Sequence, residues 1–537
     1  MNNDITEIVE KMLRVTGSTY VSLEDLQKRY VNKEELKRAC KSHSLCYRVH
    51  DFKGKKSFFY TLPHIYKCDK TIAKMVYKRV NTQNLLPYLK EEEVDALLAR
   101  YQEETGFILD PLQADAVKMA ANSHMAIITG GPGTGKTTTL NALRYVEANR
   151  STTKPFEVFL APTGKAARRM TEAVGIEAHT IQSEIGANVF EDNPYVIDAD
   201  IVYVDEISML DTVVMYQLIR CLTPRTRLIM LGDVDQLPSV DCGTILKDLI
   251  ESDVVPTAML TKTFRQAEGS VLMDNIKYIR GISAFKVKNQ SDNCFKGMEE
   301  GDDFTVVKDF NEDEIIESLK TAYIQAIEEY GKDNVILLTP FRRKGATCAN
   351  ELNKILQKEL NNSKISVEAT IADIDEDGEE YELNVCFKLG DPVMQLVNRF
   401  DEPVANGDVG RIVRIYTDNA IDVEFPHYTK TYEVEELKEL NLCYAMSIHK
   451  SQGSEYKCVI TCALPEHERL LNRNLVYTAI TRAKKKCIFF CSKQTLKTAL
   501  SVEAAYERTT FLEKELRDVA GLKDLCDTGY SYDELTA

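Results

Sequence analysis

Short apolar runs alternate with helical stretches between residues 125 and 265. The runs read AIIT, VFLAP, IVYVDE and RLIMLGD, and each of them ends in a polar cluster. This alternation predicts a parallel sheet in an α/β domain, with ligand-binding groups at the carboxyl ends of the strands.

A second set of apolar runs follows later in the chain and reads NVILLTP, CYAMS, CVITCAL and CIFFC. This set predicts a second lobe of the same α/β type. Between its strands, residues 366–440 carry short strand-like and turn segments such as FKLGDPVMQLV and AIDVEF. These segments predict a small β-barrel inserted into the second lobe.

The N-terminal region has a different pattern. Residues 4–43 read as three short helices, in which Ser22 and Asn32 are predicted N-caps. Residues 46–50 and 57–61 flank a glycine turn and read as a hairpin. Three helices and a hairpin are typical of a winged helix, although a packing module without DNA contacts has the same pattern.

Composition narrows the class of protein. The chain has 537 residues, of which 44% are hydrophobic and 28% charged, as in a soluble globular protein. No apolar run approaches the ~20 residues that span a bilayer, and the N-terminus is polar, so we expect a cytoplasmic protein without a membrane anchor. The fourteen cysteines form no CxxC pair and are expected to be reduced thiols. The net charge of −16 excludes a uniformly basic surface but not a local basic groove.

A phosphate-binding loop, GGPGTGKT, occupies residues 130–137 between a predicted strand and a predicted helix. Its glycines allow backbone N–H groups to surround phosphates, Lys136 reaches the β and γ oxygens, and Thr137 can bind Mg²⁺. The predicted nucleotide-binding residues of this segment are Gly131, Gly133, Thr134, Gly135, Lys136, Thr137 and Thr138. The sequence therefore predicts binding and hydrolysis of a nucleoside triphosphate.

Two further strand ends carry candidate catalytic groups. Asp205 and Glu206 follow IVYV, and such a pair alone is usually a helix cap. Next to a phosphate loop we interpret Asp205 as a Mg²⁺ ligand and Glu206 as the general base for water. Gln236 follows the next strand, where it can sense the γ-phosphate or orient the attacking water. Arg265 and Arg482 are candidate arginine fingers, although each arginine alone would usually be a surface residue.

The ordered motifs GGPGTGKTT, APTGKAA, VDEISMLD, GDVDQLPSV, TFRQ, LTPFRR, ANGDVG, SIHKSQGSEY and VYTAITRAKK resemble those of the superfamily 1 helicases, specifically the RecD-like branch. The match runs from about residue 109 to residue 491. It implies two RecA-like lobes with ATP between them, Gln113 reading adenine, and Arg265 and Arg482 completing the ATP site. One departure is that the N-terminal region is too short for the helix-hairpin-helix region that stand-alone relatives usually carry.

The resemblance also implies a single-stranded DNA track lined by Pro162, Thr163, Lys165, Thr339, Asn406, His449 and Lys450. The inserted barrel resembles the SH3-like subdomain that caps the DNA channel. Residues 186–196 occupy the place of a strand-separating pin, although a surface loop fits them equally. DxDxDG at residues 373–378 imitates a calcium loop but lacks the final glutamate and is interpreted as an acidic turn.

The expected fold class is therefore α/β, with two RecA-like P-loop lobes, an inserted SH3-like barrel and an N-terminal winged-helix-like α+β domain. The expected regions are a winged-helix-like and helical region at 1–105, a first lobe at 106–265, a second lobe at 266–365 and 441–500, the barrel at 366–440 and a helical, acidic tail at 501–537.

The function that the resemblance implies is an ATP-dependent 5′-to-3′ DNA helicase in repair, recombination or replication. It would use ATP and Mg²⁺ and act on single-stranded DNA and on duplexes with a 5′ tail. Three alternatives remain open: a DNA-stimulated ATPase that remodels protein–DNA complexes, an RNA-directed motor, and a non-catalytic binding subunit. The last is disfavoured because every catalytic position is filled.

Overall fold

The computed structural model describes residues 5–52, 55–82, 88–151, 153–186, 195–264, 270–281, 298, 300–308, 314–374, 379–399, 402 and 404–522. Within these ranges, no helix combines the length and the apolar character needed to cross a membrane. The cysteines of the described ranges are free thiols, as expected. Arg265 and most of the candidate pin and of the calcium-like turn lie outside the described residues.

The N-terminal module contains the predicted three helices and hairpin. Its elements are α1 (Ile5–Thr16), β1 (Val21–Ser22), α2 (Leu23–Lys28), α3 (Lys33–Lys41), β2 (Cys46–Phe52) and β3 (Lys55–Thr61). The strands form an antiparallel sheet in the order β1-β3-β2. Ser22 accepts a hydrogen bond from the Asp25 N–H, and Asn32 forms a capping box with Glu35, so both predicted caps are confirmed. The identification of the module as a winged helix stays a prediction.

Three helices lead from this module to the first sheet: α4 (Pro63–Val80), α5 (Glu91–Thr105) and α6 (Pro111–Asn122). The last turn of α4 is fixed by Arg79, which is buried. Its guanidinium donates to the carbonyl oxygens of Leu222, at 3.3 Å, and Thr223, at 3.1 Å. This helix therefore attaches the N-terminal module to the amino-terminal edge of the first sheet.

The first sheet is entirely parallel, as predicted. Its region comprises β4 (Met125–Gly130), α7 (Lys136–Asn149), β5 (Glu157–Ala161), α8 (Gly164–Val174), β6 (Ala178–Thr180), α9 (Ile181–Ile185), β7 (Ile201–Val204), α10 (Thr212–Cys221), β8 (Arg227–Gly232), α11 (Ile245–Glu251) and β9 (Thr257–Leu260). The strand order is β6-β5-β7-β8-β4-β9. Strands β4, β7 and β8 are buried along their whole length. Because they pair in parallel, their carboxyl ends lie together at one edge of the sheet.

The next region begins the second sheet. It comprises α12 (Val271–Gly281), β10 (Phe304–Val307), α13 (Ile315–Tyr330), β11 (Val335–Thr339) and α14 (Ala349–Leu360). The inserted region follows with β12 (Ser366–Ile374), β13 (Glu380–Lys388), β14 (Pro392–Gln395), β15 (Val409–Ile415), β16 (Ile421–Phe425), β17 (Tyr428–Tyr432) and β18 (Leu440–Leu442). The insert is strand-rich, as predicted, with a β12-β13 hairpin and an antiparallel sheet in the order β17-β16-β15-β14-β18. Its SH3-like closure stays a prediction.

The chain then returns to complete the second sheet. The returning elements are β19 (Ala445–Ser447), β20 (Tyr456–Ala463), α15 (Arg473–Thr481), β21 (Ala483–Cys491) and α16 (Lys493–Leu500). The order β10-β21-β20-β11-β19 is parallel throughout, which confirms the predicted second α/β lobe. Short 3-10 helices lie at Ile207–Met209, Lys332–Asn334, Val434–Glu439, His449–Ser451 and Pro465–His467.

The C-terminal segment crosses back to the N-terminal module through α17 (Ala504–Glu507) and α18 (Leu512–Val519). The ring of Phe511 packs edge-on against Tyr20, at 4.9 Å between centroids, and against Phe59, at 5.1 Å. The Glu515 carboxylate pairs with Lys70 at 2.8 Å and with Arg48. The first and last parts of the chain therefore share one interface.

Candidate nucleotide site and nucleic-acid track

The phosphate loop joins the central strand β4 to helix α7. Gly133 and Gly135 adopt left-handed φ angles of 72° and 79°, which residues with side chains rarely adopt. A Cβ atom at Gly135 would also collide with the amide of Gln113. The Thr134 hydroxyl donates to the Gly131 carbonyl at 2.9 Å. The loop therefore needs glycine for both its turn and its close packing.

A cavity of about 270 Å³ opens beside this loop. The predicted residues among its lining are Gly133, Thr134, Gly135, Lys136, Thr137, Asp205, Glu206, Gln236 and Arg482. Lys136 donates to the carbonyl oxygens of Gly130, at 2.6 Å, and Gly131, at 3.2 Å. Glycine backbone, lysine, two acids and an arginine thus meet around one space.

Three predicted nucleotide residues lie outside the lining of this cavity. Gly131 adjoins the lobe boundary, since a Cβ there would lie 3.0 Å from the Tyr477 hydroxyl. Thr138 lies in the first turn of α7. The Gln113 side chain donates to the Thr134 carbonyl at 3.0 Å and accepts from the Asp110 N–H at 3.0 Å. It supports the loop from the side opposite the cavity, and its adenine contact stays a prediction.

The acid pair lies at the carboxyl end of β7. The Asp205 carboxylate accepts the Glu206 N–H at 2.8 Å. Burial and the neighbouring charge of Glu206 raise the pKa of Asp205 to about 6, against the opposing effect of Lys136. Glu206 has a φ of 53°, an uncommon left-handed conformation for a residue with a side chain. The chain holds both carboxylates at the cavity wall.

The residues that could hold a metal are Thr137 and Asp205, both of which line the cavity. A hydroxyl and a carboxylate are hard oxygen donors of the kind Mg²⁺ prefers. The described residues contain no group of three or more histidine, cysteine and acidic side chains that could hold a metal ion by itself. This donor set fits Mg²⁺ that is completed by phosphate oxygens and water rather than a closed structural site.

Gln236 lies in the loop of residues 233–243, which follows β8. Its side chain is 5% exposed, and the donor end points to Asp233 at 3.5 Å. Its Oε1 atom accepts no hydrogen bond from any described residue. A buried acceptor without a partner is costly, so this atom is suited to accept from a group bound in the cavity.

Helix α15 of the second lobe holds this loop in place. Asn474 donates to the carbonyl oxygens of Asp235, at 2.9 Å, and Gln236, at 3.2 Å. The Leu237 N–H donates to the Thr478 hydroxyl at 3.0 Å, and the Tyr477 hydroxyl donates to Asp233 at 2.9 Å. The glutamine of the first lobe is therefore positioned by side chains of the second.

Arg482 is the residue that follows α15, and its side chain is buried. Its guanidinium donates to the carbonyl oxygens of Thr478, at 3.1 Å, and Ser454, at 3.3 Å. It lines the cavity together with the phosphate loop, as predicted for an arginine finger from the second lobe. The segment leading to Arg265 also begins at the site, because the Phe264 N–H donates to the Gly133 carbonyl at 2.7 Å.

Sequence reasoning missed two charged residues of the cavity lining, Arg169 and Glu455. Arg169 lies on α8 of the first lobe and pairs at 2.8 Å with Glu455 of the second lobe. Lys484 also pairs with Glu455, at 3.1 Å. The helical spacing of Arg169, four residues after the predicted track residue Lys165, was the available signal. This ion pair crosses the cleft between the two lobes.

Several predicted track residues meet where the insert approaches α8. Thr163 caps α8 by accepting the Ala166 N–H at 3.3 Å, and Lys165 lies 5.8 Å from the ring centre of Tyr456. Burial lowers the pKa of Lys165 to about 8. Lys450 donates to Asn406 at 3.1 Å. Thr163, Lys165, Asn406 and Lys450 therefore belong to one neighbourhood that all three regions share.

Pro162 directly follows β5 and lies at this strand end beside Thr163. The remaining two predicted track residues are Thr339 and His449. The Thr339 hydroxyl is fully buried and donates to the Thr347 carbonyl at 2.8 Å. Burial, with Arg342 and Arg508 nearby, lowers the pKa of His449 to about 4, so its imidazole is neutral at pH 7. The contacts of all three with nucleic acid stay predictions.

The insert is also attached directly to the first lobe. Arg168 of α8 pairs with Asp408, which accepts a hydrogen bond from the Tyr428 hydroxyl at 3.1 Å. A Cβ atom at Gly164 would collide with Ala405. The loop that carries Asn406 therefore closes tightly over the amino-terminal end of α8.

Comparison with known proteins agrees with this arrangement. A family model for an AAA domain matches residues 108–290, and one for the UvrD-like helicase C-terminal domain matches residues 442–490. The ATP-dependent RecD2 DNA helicase of Deinococcus radiodurans is 29% identical over 463 residues, which are 84% of this chain and 58% of that protein. The RecBCD enzyme subunit RecD of Haemophilus influenzae is 28% identical, over 80% of this chain and 76% of that protein.

A solved structure of Pif1 helicases at forked double-stranded DNA has a TM-score of 0.45 and 19% identity, and it covers 71% of this chain and 92% of that one. The chain spans little more than half the length of the Deinococcus relative. The resemblance predicted from the motifs is confirmed: over most of its length, this chain is similar to proteins named as RecD and RecD2 helicases.

Proposed function

We propose that this protein is an ATP-dependent DNA helicase that moves 5′ to 3′ on single-stranded DNA. The observation that carries the proposal is one cavity lined by the phosphate loop of the first lobe and by Arg482 and Glu455 of the second. A site shared by two lobes changes when the lobes move, so nucleotide binding and hydrolysis can drive their relative motion. The names of the relatives support the same activity.

Each predicted ATP-site residue then has a chemical task. Lys136 and Arg482 neutralise the charge of the transferring phosphoryl group, one from each lobe. Thr137 and Asp205 would hold Mg²⁺, which when bound would supply positive charge to the phosphate groups. Glu206 accepts the proton of the attacking water, and Gln236 orients that water through its unpaired Oε1 atom.

Helix α8 supports coupling between the nucleotide cavity and the predicted single-stranded DNA track. Thr163 caps this helix and Lys165 lies in its first turn, both of them predicted track residues, and Arg169 lies one turn later in the nucleotide cavity. The positive charge of Arg169 acts on both Asp205 and Glu206. A DNA strand that moves α8 through Lys165 would therefore also move the charge of Arg169 relative to Glu206, the proposed general base.

The proposed DNA contacts use backbone and phosphate recognition rather than base reading. Lys165 and Lys450 supply positive charge near Asn406 in a chain of net charge −16. Such local cations at strand-end loops bind a phosphate backbone independently of sequence. The 5′-to-3′ polarity and a role in repair, recombination or replication belong to the proposal and follow from the resemblance.

A strand-displacement assay with three matched duplexes tests the function. The duplexes carry a 5′ DNA tail, a 3′ DNA tail or a 5′ RNA tail, and a blunt duplex is the control. We expect ATP-dependent displacement from the 5′ DNA-tailed duplex and none from the 3′-tailed or blunt ones. DNA-stimulated ATP turnover without a displaced strand would instead support a remodelling translocase, and preference for the RNA tail would support an RNA-directed motor.

A further inference from the structure

A C-terminal strap connects the second lobe to the N-terminal module and passes beside the nucleotide site. We define the strap as residues 501–511, between α16 and α18. It runs along residues 233–243, the loop that carries Gln236, which we call the glutamine loop. The described side chains of the strap contribute no lining residue to the nucleotide cavity. The strap therefore acts on a bound nucleotide through the glutamine loop and not by direct contact.

Arg508 of the strap holds the downstream half of the glutamine loop. Its guanidinium donates to the carbonyl oxygens of Ser239 at 2.6 Å, Gly243 at 2.9 Å and Asp241 at 3.0 Å. It also lies 3.3 Å from the Ser239 hydroxyl. Burial lowers the pKa of Arg508 to about 10, which leaves it charged at neutral pH. A planar guanidinium fixes several acceptors in one geometry, which a flexible ammonium cannot do.

The upstream half of the same loop is connected to the strap through Asn474. The Ala504 N–H donates to the Asn474 side-chain oxygen at 3.0 Å. The amide nitrogen of Asn474 donates to the carbonyl oxygens of Asp235 and Gln236. The strap therefore constrains the glutamine loop on both sides of Gln236.

The N-terminal module joins at the same point. The Gly243 N–H donates to the Gly17 carbonyl at 2.9 Å, and the Thr509 carbonyl accepts the N–H groups of Thr19 at 3.0 Å and Tyr20 at 3.2 Å. Gly17 has a φ of 66°, and a Cβ atom there would collide with the Arg508 guanidinium. The module, the strap and the glutamine loop thus form a three-way junction around one arginine.

We propose that Arg508 is a positioning residue for ATP hydrolysis: it holds the glutamine loop so that Gln236 faces the cavity, and it links the N-terminal module to that site. The inference rests on the proposed ATPase function. Gln236 lies three residues before Ser239, the nearest anchor of Arg508, and its Oε1 atom has no described partner of its own. Loss of the anchor would therefore misplace the water-orienting group without removing any nucleotide contact.

The test compares ATP turnover at saturating single-stranded oligo(dT) for the wild type, Arg508→Ala and Arg508→Lys. The control is Arg517→Ala, whose ion pair with Asp253, at 3.7 Å, lies on α18 away from the glutamine loop. We expect Arg508→Ala to lower kcat by about ten- to a hundredfold, the scale of a small misplacement of a reacting group, with the KM for ATP changed little. The lysine variant should recover part of this loss.

A double-mutant cycle separates positioning from general destabilisation. If Arg508 acts through Gln236, the Arg508→Ala/Gln236→Ala variant should turn over no more slowly than Gln236→Ala alone. Losses that multiply in the double variant would overturn the proposal. Because Arg508→Ala removes a half-buried side chain with several hydrogen bonds, Gly17→Ala gives an independent test: it presses on the guanidinium and should lower kcat in the same way.

An unchanged kcat in a folded Arg508→Ala variant would overturn this inference and leave the ATPase function intact. If Arg508→Ala does not fold, an unchanged kcat in both Arg508→Lys and Gly17→Ala would have the same meaning. A wild-type protein without DNA-stimulated ATP turnover would overturn the proposed function itself. An equal loss of kcat in Arg517→Ala would also overturn the positioning role, because it would show a general effect of loosening the C-terminal segment.

Discussion

Each of the two parallel sheets carries a loop at the carboxyl end of one strand. The loop after β4 borders an open cavity, whereas the loop after β11 binds a carboxylate of the protein itself. After β4, Gly133 and Gly135 turn the backbone around an open cavity beside Lys136. After β11, the loop of residues 340–348 surrounds a carboxylate of the protein itself. Glu466 accepts the N–H groups of Ala346 at 3.0 Å and Thr347 at 3.1 Å.

Among the described residues, this difference leaves the loop after β4 open to a phosphate, whereas the loop after β11 already binds a carboxylate. Backbone N–H groups at a strand end form an anion-binding site in both lobes. In the second lobe, the N–H groups of Ala346 and Thr347 already donate to Glu466. The second lobe therefore contributes Arg482 to the nucleotide site rather than a second phosphate loop.

The largest expected effect comes from Lys136→Ala. The substitution removes the cation that is predicted to contact the β and γ phosphates. ATP turnover should fall on the order of a thousandfold or more, the scale that is known for loss of an arginine finger. Turnover is measured by phosphate release with saturating oligo(dT). Lys154→Ala, an exposed lysine of the same lobe, is the matched control. Normal DNA-stimulated turnover in Lys136→Ala would contradict the site assignment.

Glu206→Gln should keep ATP binding but stop its hydrolysis, because the amide preserves shape and cannot accept the proton of water. We expect a loss of kcat of about a hundredfold or more, the usual contribution of a general base. Binding of a fluorescent ATP analogue and phosphate release are measured on the same sample, with Glu177→Gln as the exposed control. Wild-type turnover would remove Glu206 from its role.

Glu466→Ala probes the other side of the comparison. This substitution removes the carboxylate that accepts the N–H groups of Ala346 and Thr347. Because Thr347 is buried, the lost hydrogen bond should lower the free energy of unfolding by about 1–3 kcal/mol. We expect weaker binding of labelled oligo(dT), measured by anisotropy, with ATP-analogue binding unchanged. Glu468→Ala, an exposed neighbour, is the control. The expectation rests on the position of this loop directly after Thr339, a predicted track residue. Weaker nucleotide binding with intact oligo(dT) binding would contradict it.

The smallest expected effect concerns how the stability of the protein depends on pH through His467, which contacts the loop of residues 340–348. The buried His467 contacts the Thr347 hydroxyl at 3.1 Å, and burial lowers its pKa to about 4, partly opposed by Glu466. The folded state therefore favours the neutral imidazole. Its contribution to stability is complete above the ordinary value of 6.5 and is lost as pH falls from there toward 4.

His467→Gln should remove this component. Between pH 7 and pH 5, the Tm of the wild type should fall by about 2 °C more than that of the variant, which corresponds to about 2 kcal/mol for a chain of this length. Calorimetry at both pH values measures it. Parallel falls of Tm in the two proteins would show that His467 titrates normally in the folded state.

Local sequence was sufficient for much of the fold and for half of the nucleotide site. The caps at Ser22 and Asn32 and the alternation of strands and helices depend on neighbouring residues, so their patterns could be interpreted directly. The phosphate loop and the acid pair after β7 meet because parallel strands share a carboxyl edge. The ion pair of Arg169 with Glu455 could not be predicted, since nothing local relates residues so far apart.

By itself, the sequence determined a nucleotide-binding loop, a pair of acids and a second lobe with an arginine, because each is encoded in a few consecutive residues whose backbone preferences are intrinsic. Only the tertiary structure decided which strand-end loop binds its own carboxylate and which long-range contacts hold Gln236. The Glu466 anchor and the Arg508 junction both join segments that are distant in the chain. Their formation depends on how whole elements pack, and no local pattern of residues specifies that packing.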